Sequence, residues 1–299
     1  MPLIEFKQKT VRDLVWALSS PPLVLQPSHA CLWPEAKWFQ QAYVDTLPWL
    51  QALDEDSSEL DELLLKQKDK RLGKYFESLW LFWLTNNPRY QIVENNIQII
   101  IDGETLGEID FVIFDKKSQQ TIHWEVAVKF YLGVGDVAKM FNWHGPNLRD
   151  RLDIKVEHLK NRQSMVAKDR RIASWLSMQG VDIDLCAVIL KGRLYYPWQP
   201  ESLVKRCLSS PFASEHLTSW WLTSSQFEQA FDEKEEFVPL INKGWMASIP
   251  TPDTGEKYNK TAINEIVSNE ILHFPLHLQL ANPHGSWDRL FVVDETWSK

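Results

Sequence analysis

Cysteine is scarce in this chain of 299 residues: Cys31, Cys186 and Cys207 are odd in number, widely spaced and without a Cys-x-x-Cys pair. That pattern indicates neither a disulfide framework nor a zinc site, and it fits a cytosolic protein. No run of about eighteen apolar residues exists, so no spanning helix is expected. Met1 to Thr10 mixes Glu5 with Lys7 and Lys9 ahead of no long apolar stretch, so export is not expected either. An excess of basic charge is also missing. With 40 Asp and Glu against 32 Lys and Arg the net charge is −8, which argues against a general nucleic-acid coat and leaves room only for a local basic surface. Gly133 and Gly135 are not followed by Gly-Lys-Ser/Thr, so they make no phosphate loop. Repeats and low-complexity tracts are absent, and His144, His273, His277 and His284 are scattered as structural histidines are.

What is present is ample apolar material, 44% of the residues, enough for one large domain or two. Residues 1 to 65 read as short helices broken at Pro21-Pro22, Pro27, Pro34 and Pro48. Their aromatic stripe (Trp16, Trp33, Trp38, Phe39, Tyr43, Trp49) lacks interleaved Arg or Lys, and packing against the core outweighs base stacking as its explanation. The acidic run Asp54-Glu55-Asp56 with Glu59, Asp61 and Glu62 reads as a solvated helix beginning. Leu72 to Leu84 is a helix that becomes apolar all round, with Glu77 on the side of Gly73, Trp80, Leu81 and Leu84, where a solvated carboxylate is not expected. Asn86-Asn87-Pro88 stops it, and Tyr90 to Ile101 forms a strand before an Asp102-Gly103 turn.

The stretch from Gly107 to Tyr131 reads as two strands carrying an acidic site. Asp110 lies inside Ile109-Asp110-Phe111-Val112-Ile113-Phe114, a run apolar enough to be covered on both faces, where an unpaired carboxylate is expensive. In the next strand, alternation puts His123, Glu125, Ala127 and Lys129 on one face and Ile122, Trp124, Val126, Val128 and Phe130 on the other. Asp110 and Glu125, on strands joined by a turn at Lys116 to Gln120, can converge on one hard cation. The competing reading is a buried salt-bridge set of Asp110, Glu125 and Lys129.

Residues 149 to 171 carry eight Lys and Arg against four Asp and Glu. Leu152, Val156, Leu159, Gln163 and Val166 recur at helical spacing, giving an amphipathic helix with Gln163 on its inward stripe and Lys155 at the border. Either this is a solvated basic face or Lys155 and Gln163 meet phosphates. Val181 to Leu190 reads as a core strand, left through Gly192 to Pro200. Ser219-Trp220-Trp221, Gly244-Trp245-Met246, Phe274 to Leu280 and Arg289 to Val293 suggest strands and aromatic packing around a polar loop from Pro250 to Lys260.

The Gly-Glu-Ile-Asp and Glu-x-x-x-Lys segments resemble the PD-(D/E)XK nuclease superfamily over about residues 66 to 198. Trp124 to Gly133 and Gly145 to Gln163 resemble more narrowly the bacterial family called domain of unknown function 1853. The resemblance implies a restriction-endonuclease-like mixed α/β sheet flanked by helices, with an N-terminal helical wrap (1–65), a nuclease-like core (66–198) and a C-terminal elaboration (199–299). It also implies Mg²⁺, or Mn²⁺ in its place, held by Asp110 and Glu125, with Glu77 beside it and Lys129 as the catalytic lysine. One residue usually separates acid and lysine in that superfamily. Here Val126, Ala127 and Val128 do, which moves Lys129 about 6.6 Å along the strand while keeping its face. The expected function is metal-dependent hydrolysis of DNA, with Lys155 and Gln163 on phosphate. The alternatives are a non-catalytic member of the fold that binds nucleic acid or a protein partner, and an interaction protein using its 15 Trp residues.

Overall fold

The computed structural model describes residues 5–25, 31–198, 211–241, 244–247, 256–270, 275–284 and 287–297; for 162–168, 269–270, 282–284 and 287 it describes the backbone alone. Among these the chain is mixed α/β, with eight α-helices and nine strands. It divides into two compact units that are discontinuous along the sequence, 1–128 with 155–191 and 129–154 with 192–299.

In the first unit, helices α1 (Lys9–Ser19), α2 (Ala36–Glu55), α3 (Ser58–Lys66) and α4 (Leu72–Asn86) precede strands β1 (Tyr90–Ile101) and β2 (Glu104–Asp115). Strand β3 (Gln120–Gly133) follows and runs on into the second unit. The β1 to β2 turn is as the sequence demands: Asp102 and Gly103 both take positive φ, 54° and 81°, and the strands pair antiparallel. Pro48 lies within α2 instead of ending it. Only one backbone donor is lost to proline in a helix, and Leu50, Leu53, Phe39 and Ala42 bury its inner face. Asp54 is likewise no solvated helix start. It lies near the C-terminus of α2, buried, and its two carboxylate oxygens accept from the N–H groups of Lys7 and Gln8 at 2.8 Å each, satisfying donors ahead of α1.

Helix α4 buries Tyr75, Phe76, Leu79, Trp80, Phe82, Trp83 and Leu84. Trp80 and Trp83 meet Trp38, Tyr90 and Trp124 in one aromatic cluster, so the N-terminal stripe packs through Trp38. Two helices, α5 (Leu152–Lys168) and α6 (Arg170–Met178), replace the single expected one, because Asp169 breaks the run and caps α6 by accepting from Arg171 N–H. Leu152, Val156 and Leu159 are buried, as the periodicity requires.

Strand β5 (Leu185–Pro197) starts later than Val181 and continues through Tyr195 and Tyr196. The sheet order in the first unit is β1-β2-β3-β5. Cys31 and Cys186 form a disulfide, contrary to the expectation from spacing. Separation along the chain, 155 residues, says nothing about separation in space; a parallel bridge between Leu32 and Ala187 brings the two Cα atoms to 5.0 Å.

In the second unit β5 is followed by β6 (Leu217–Thr223), α7 (Ser224–Ala230), β7 (Phe237–Pro239), α8 (Lys260–Glu270), β8 (Leu276–His284) and β9 (Trp287–Val293), in the sheet order β5-β6-β9-β8-β7. The pairs β5–β6 and β6–β9 are parallel, whereas β8–β9 and β7–β8 are antiparallel. A two-residue strand, β4 (Trp143–His144), pairs with the end of β3. Gly244 to Ala247 is not a strand, and Phe274 with most of the 250 to 260 loop lies outside the described residues.

Candidate active site

Strands β2 and β3 pair antiparallel from Asp115↔Gln120 to Phe111↔Trp124, and the ladder stops there. The next residue on β2 is Asp110. Its Oδ2 accepts from the backbone N–H of Val126 at 3.0 Å, so a carboxylate takes the place of a strand carbonyl where the strands part. Apolar residues on β2 bury this carboxylate as expected, and Phe111, Val112 and Ile113 are almost fully inaccessible.

Glu125, buried on β3, places Oε1 within hydrogen-bond distance, 3.0 Å, of His123 Nε2. His123 is completely buried, and its Nδ1 has no hydrogen-bond partner among the described residues. Alternation places His123 on the face of Glu125, but no motif or spacing marks it for a role. Glu77 projects from α4 and is mostly buried, its side chain 17% exposed. Burial, then the negative charges of Glu125 and Glu77, push the Asp110 carboxyl up to about 8, against the opposing Val126 N–H and Lys74. Glu77 is raised in the same direction, by burial foremost. Three carboxylates thus crowd a site too dry to hold all their charge.

Lys74, one turn before Glu77 on α4, offsets part of it. Its ammonium contacts Glu77 at 2.5 Å, Asn96 at 3.2 Å and Glu108 at 3.3 Å. Burial works against the charge on Lys74, but the two glutamates outweigh it and raise its pKa. The helical i,i+3 relation could have found this pair in the sequence. A cavity of about 150 Å³ opens here, lined by Lys74, Glu77, Asn96 and Phe111 among others.

Lys129 is the first residue of the second unit and pairs there with Asp150 at 2.5 Å. The Gly145 to Asp150 turn explains the pairing: Gly145 N–H donates to the Asp150 carbonyl at 2.8 Å, Leu148 takes φ +60°, and a Cβ at 145 would lie 3.1 Å from the Asp150 Cβ. Lys155 is half-buried on α5, and the side chain of Gln163 lies outside the described residues. Among the described residues no group of three or more His, Cys, Asp or Glu side chains is arranged to hold a metal ion. Two carboxylates are nevertheless the usual protein share of a Mg²⁺ site, which keeps several waters.

The family described as Domain of unknown function (DUF1853) matches residues 12–293. The chain belongs to the DUF1853 family. Comparison of this DUF1853 member with curated proteins and with solved structures found no match. Among its described residues no helix is long and apolar enough to cross a membrane.

Proposed function

We propose that this protein is a metal-dependent nuclease of the PD-(D/E)XK type that hydrolyses DNA phosphodiester bonds on a restriction-endonuclease-like core. The observation that supports this best is the presence of two buried carboxylates, Asp110 and Glu125, where the β2–β3 ladder opens, with the charges of Glu125 and Glu77 close enough to raise the pKa of Asp110. Crowded, buried oxygen ligands fit a hard divalent cation, which would relieve the repulsion that raises that pKa. Asp110 and Glu125 would hold Mg²⁺ or Mn²⁺, and Glu77 would orient a water beside it. Bound there, the ion would supply an activated water and polarise the scissile phosphate.

The chain's own groups do the rest. His123 holds the Glu125 carboxylate through Nε2. Lys74 fixes Glu77 and places a positive charge in the cavity wall. Lys129 would stabilise charge developing on phosphoryl oxygens, leaning back past the small Ala127. Lys155 and Gln163 would meet neighbouring phosphates. The pairing of Lys129 with Asp150 favours a second reading, in which the same fold binds nucleic acid or a protein partner without hydrolysis.

Calorimetry with Mn²⁺ and a cleavage assay on single-stranded, double-stranded and branched DNA test the proposal. Wild type should bind one ion class and cleave; Asp110→Asn should do neither while remaining folded. Ion binding unchanged in Asp110→Asn would remove the metal site, and binding without cleavage of any DNA would leave the non-catalytic reading. A cytoplasmic location is part of the proposal, and the Cys31–Cys186 bond bears on it, since disulfides are rare in reducing compartments.

A further inference from the structure

A second and larger cavity in the first unit, about 620 Å³, is within the range of small-molecule sites. Leu32, Trp33, Trp38, Tyr90 and Trp124 line it, together with Arg89. Ring edges and faces are fixed before any ligand arrives: Trp124 packs against Trp38 at 5.7 Å, Tyr90 at 5.6 Å and Trp80 at 5.6 Å between centroids. The wall formed by Leu32 is held to β5 by backbone hydrogen bonds to Cys186 and Val188 and by the adjoining disulfide. Such preorganisation lowers the ordering cost of binding a flat ring.

Charge narrows the ligand further. The charged lining is Glu35, Lys37, Arg89 and Asp115, which balances to neutrality, so the cavity attracts no strongly ionic ligand. Arg89 donates from Nε and Nη2 to Asp115 at 2.8 and 2.5 Å, which uses two of a guanidinium's five N–H donors and leaves the others for acceptors on a ligand. Asp115 is occupied by Arg89 and by the N–H of Lys117. A neutral planar ring with acceptors on one edge is therefore matched, and a guanidinium pairs best with the O6 and N7 of guanine. We propose that this cavity binds a nucleobase, guanine in preference to adenine. Nucleoside binding here needs no metal and no hydrolysis, so its failure and that of the nuclease reading are separate results.

Titration calorimetry of the full chain with guanosine, adenosine and a proline-rich peptide, without metal, provides the test. Guanosine should bind saturably at one site and adenosine about tenfold or more weaker, as loss of a bidentate base contact implies. Trp38→Ala should weaken guanosine about tenfold or more through lost stacking. Leu32→Glu, on a half-exposed residue whose change spares the core, should weaken it as well by charging a neutral cavity. The proposal is overturned by absence of saturable guanosine binding, by equal affinity for adenosine, by indifference to both variants, or by binding of the peptide alone.

Discussion

At the scale of single residues, Asp110 carries the most consequence. Its carboxyl is raised from 3.8 to about 8, so the folded, metal-free protein keeps a proton that the unfolded chain releases near pH 4. The resulting stabilisation is complete below about pH 4 and is lost as pH rises toward 8. The melting temperature of metal-free wild type should therefore fall between pH 6 and 8 relative to Asp110→Asn, which has no such proton to lose; parallel curves would show that Asp110 is not raised. Mn²⁺ affinity should move the opposite way and strengthen over the same interval, because the ion displaces that proton. Glu77 gives a second expectation. Burial disfavours its ionised form, and Lys74 retains Glu108 and Asn96 as partners, so metal-free Glu77→Gln should change stability by less than about 1 kcal/mol, or raise it. A loss of about 3 kcal/mol in chemical denaturation would mark Glu77 as half of a structural ion pair.

Among elements, strand β3 and the segment around Cys31 matter most. Strand β3 carries His123, Glu125 and Lys129 in alternation: His123 bonds Glu125, the charge of Glu125 acts on Asp110 and Glu77, and Lys129 pairs with Asp150. Lys129→Ala should bind Mn²⁺ and DNA nearly as wild type but lose hydrolysis; cleavage undiminished in Lys129→Ala and abolished in Lys74→Ala would transfer the lysine's role to α4. The 31–33 segment depends on its disulfide, which closes a loop of 155 residues. Cys31→Ser should cost about 2–4 kcal/mol. Thiol titration of the denatured, unreduced protein should find one reactive group, that of Cys207; three would place the chain in a reducing compartment with the bond open.

For the whole molecule, the net charge of −8 constrains the proposed handling of DNA. Under the proposed function, binding would rely on a few local contacts and on the proposed cation, so log affinity should fall with log salt at a shallow slope, corresponding to about two to four phosphates. A filter-binding series across salt concentrations checks this, and a steep slope would reveal a basic surface that the sequence does not suggest.

Local patterning was enough for much of the first unit. Alternation and the Asp102-Gly103 turn gave β1 its span, and apolar runs placed α4, β2 and Asp110 because burial leaves few choices for such segments. Where a signal needed distant partners, the sequence was silent. Pro48 inside α2 is tolerated because tertiary burial outweighs one lost hydrogen bond. Asp54 is buried because its oxygens meet N–H groups 46 and 47 residues away. The Cys31–Cys186 bond, the Lys129–Asp150 pair and the meeting of Lys74 with Glu108 also depend on which strands and turns become neighbours. Residue type and spacing determined that acidic chemistry would sit on two adjacent strands. Only packing in three dimensions decided which cation faces it, since proximity between elements is set by the global burial of apolar surface and not by order along the chain.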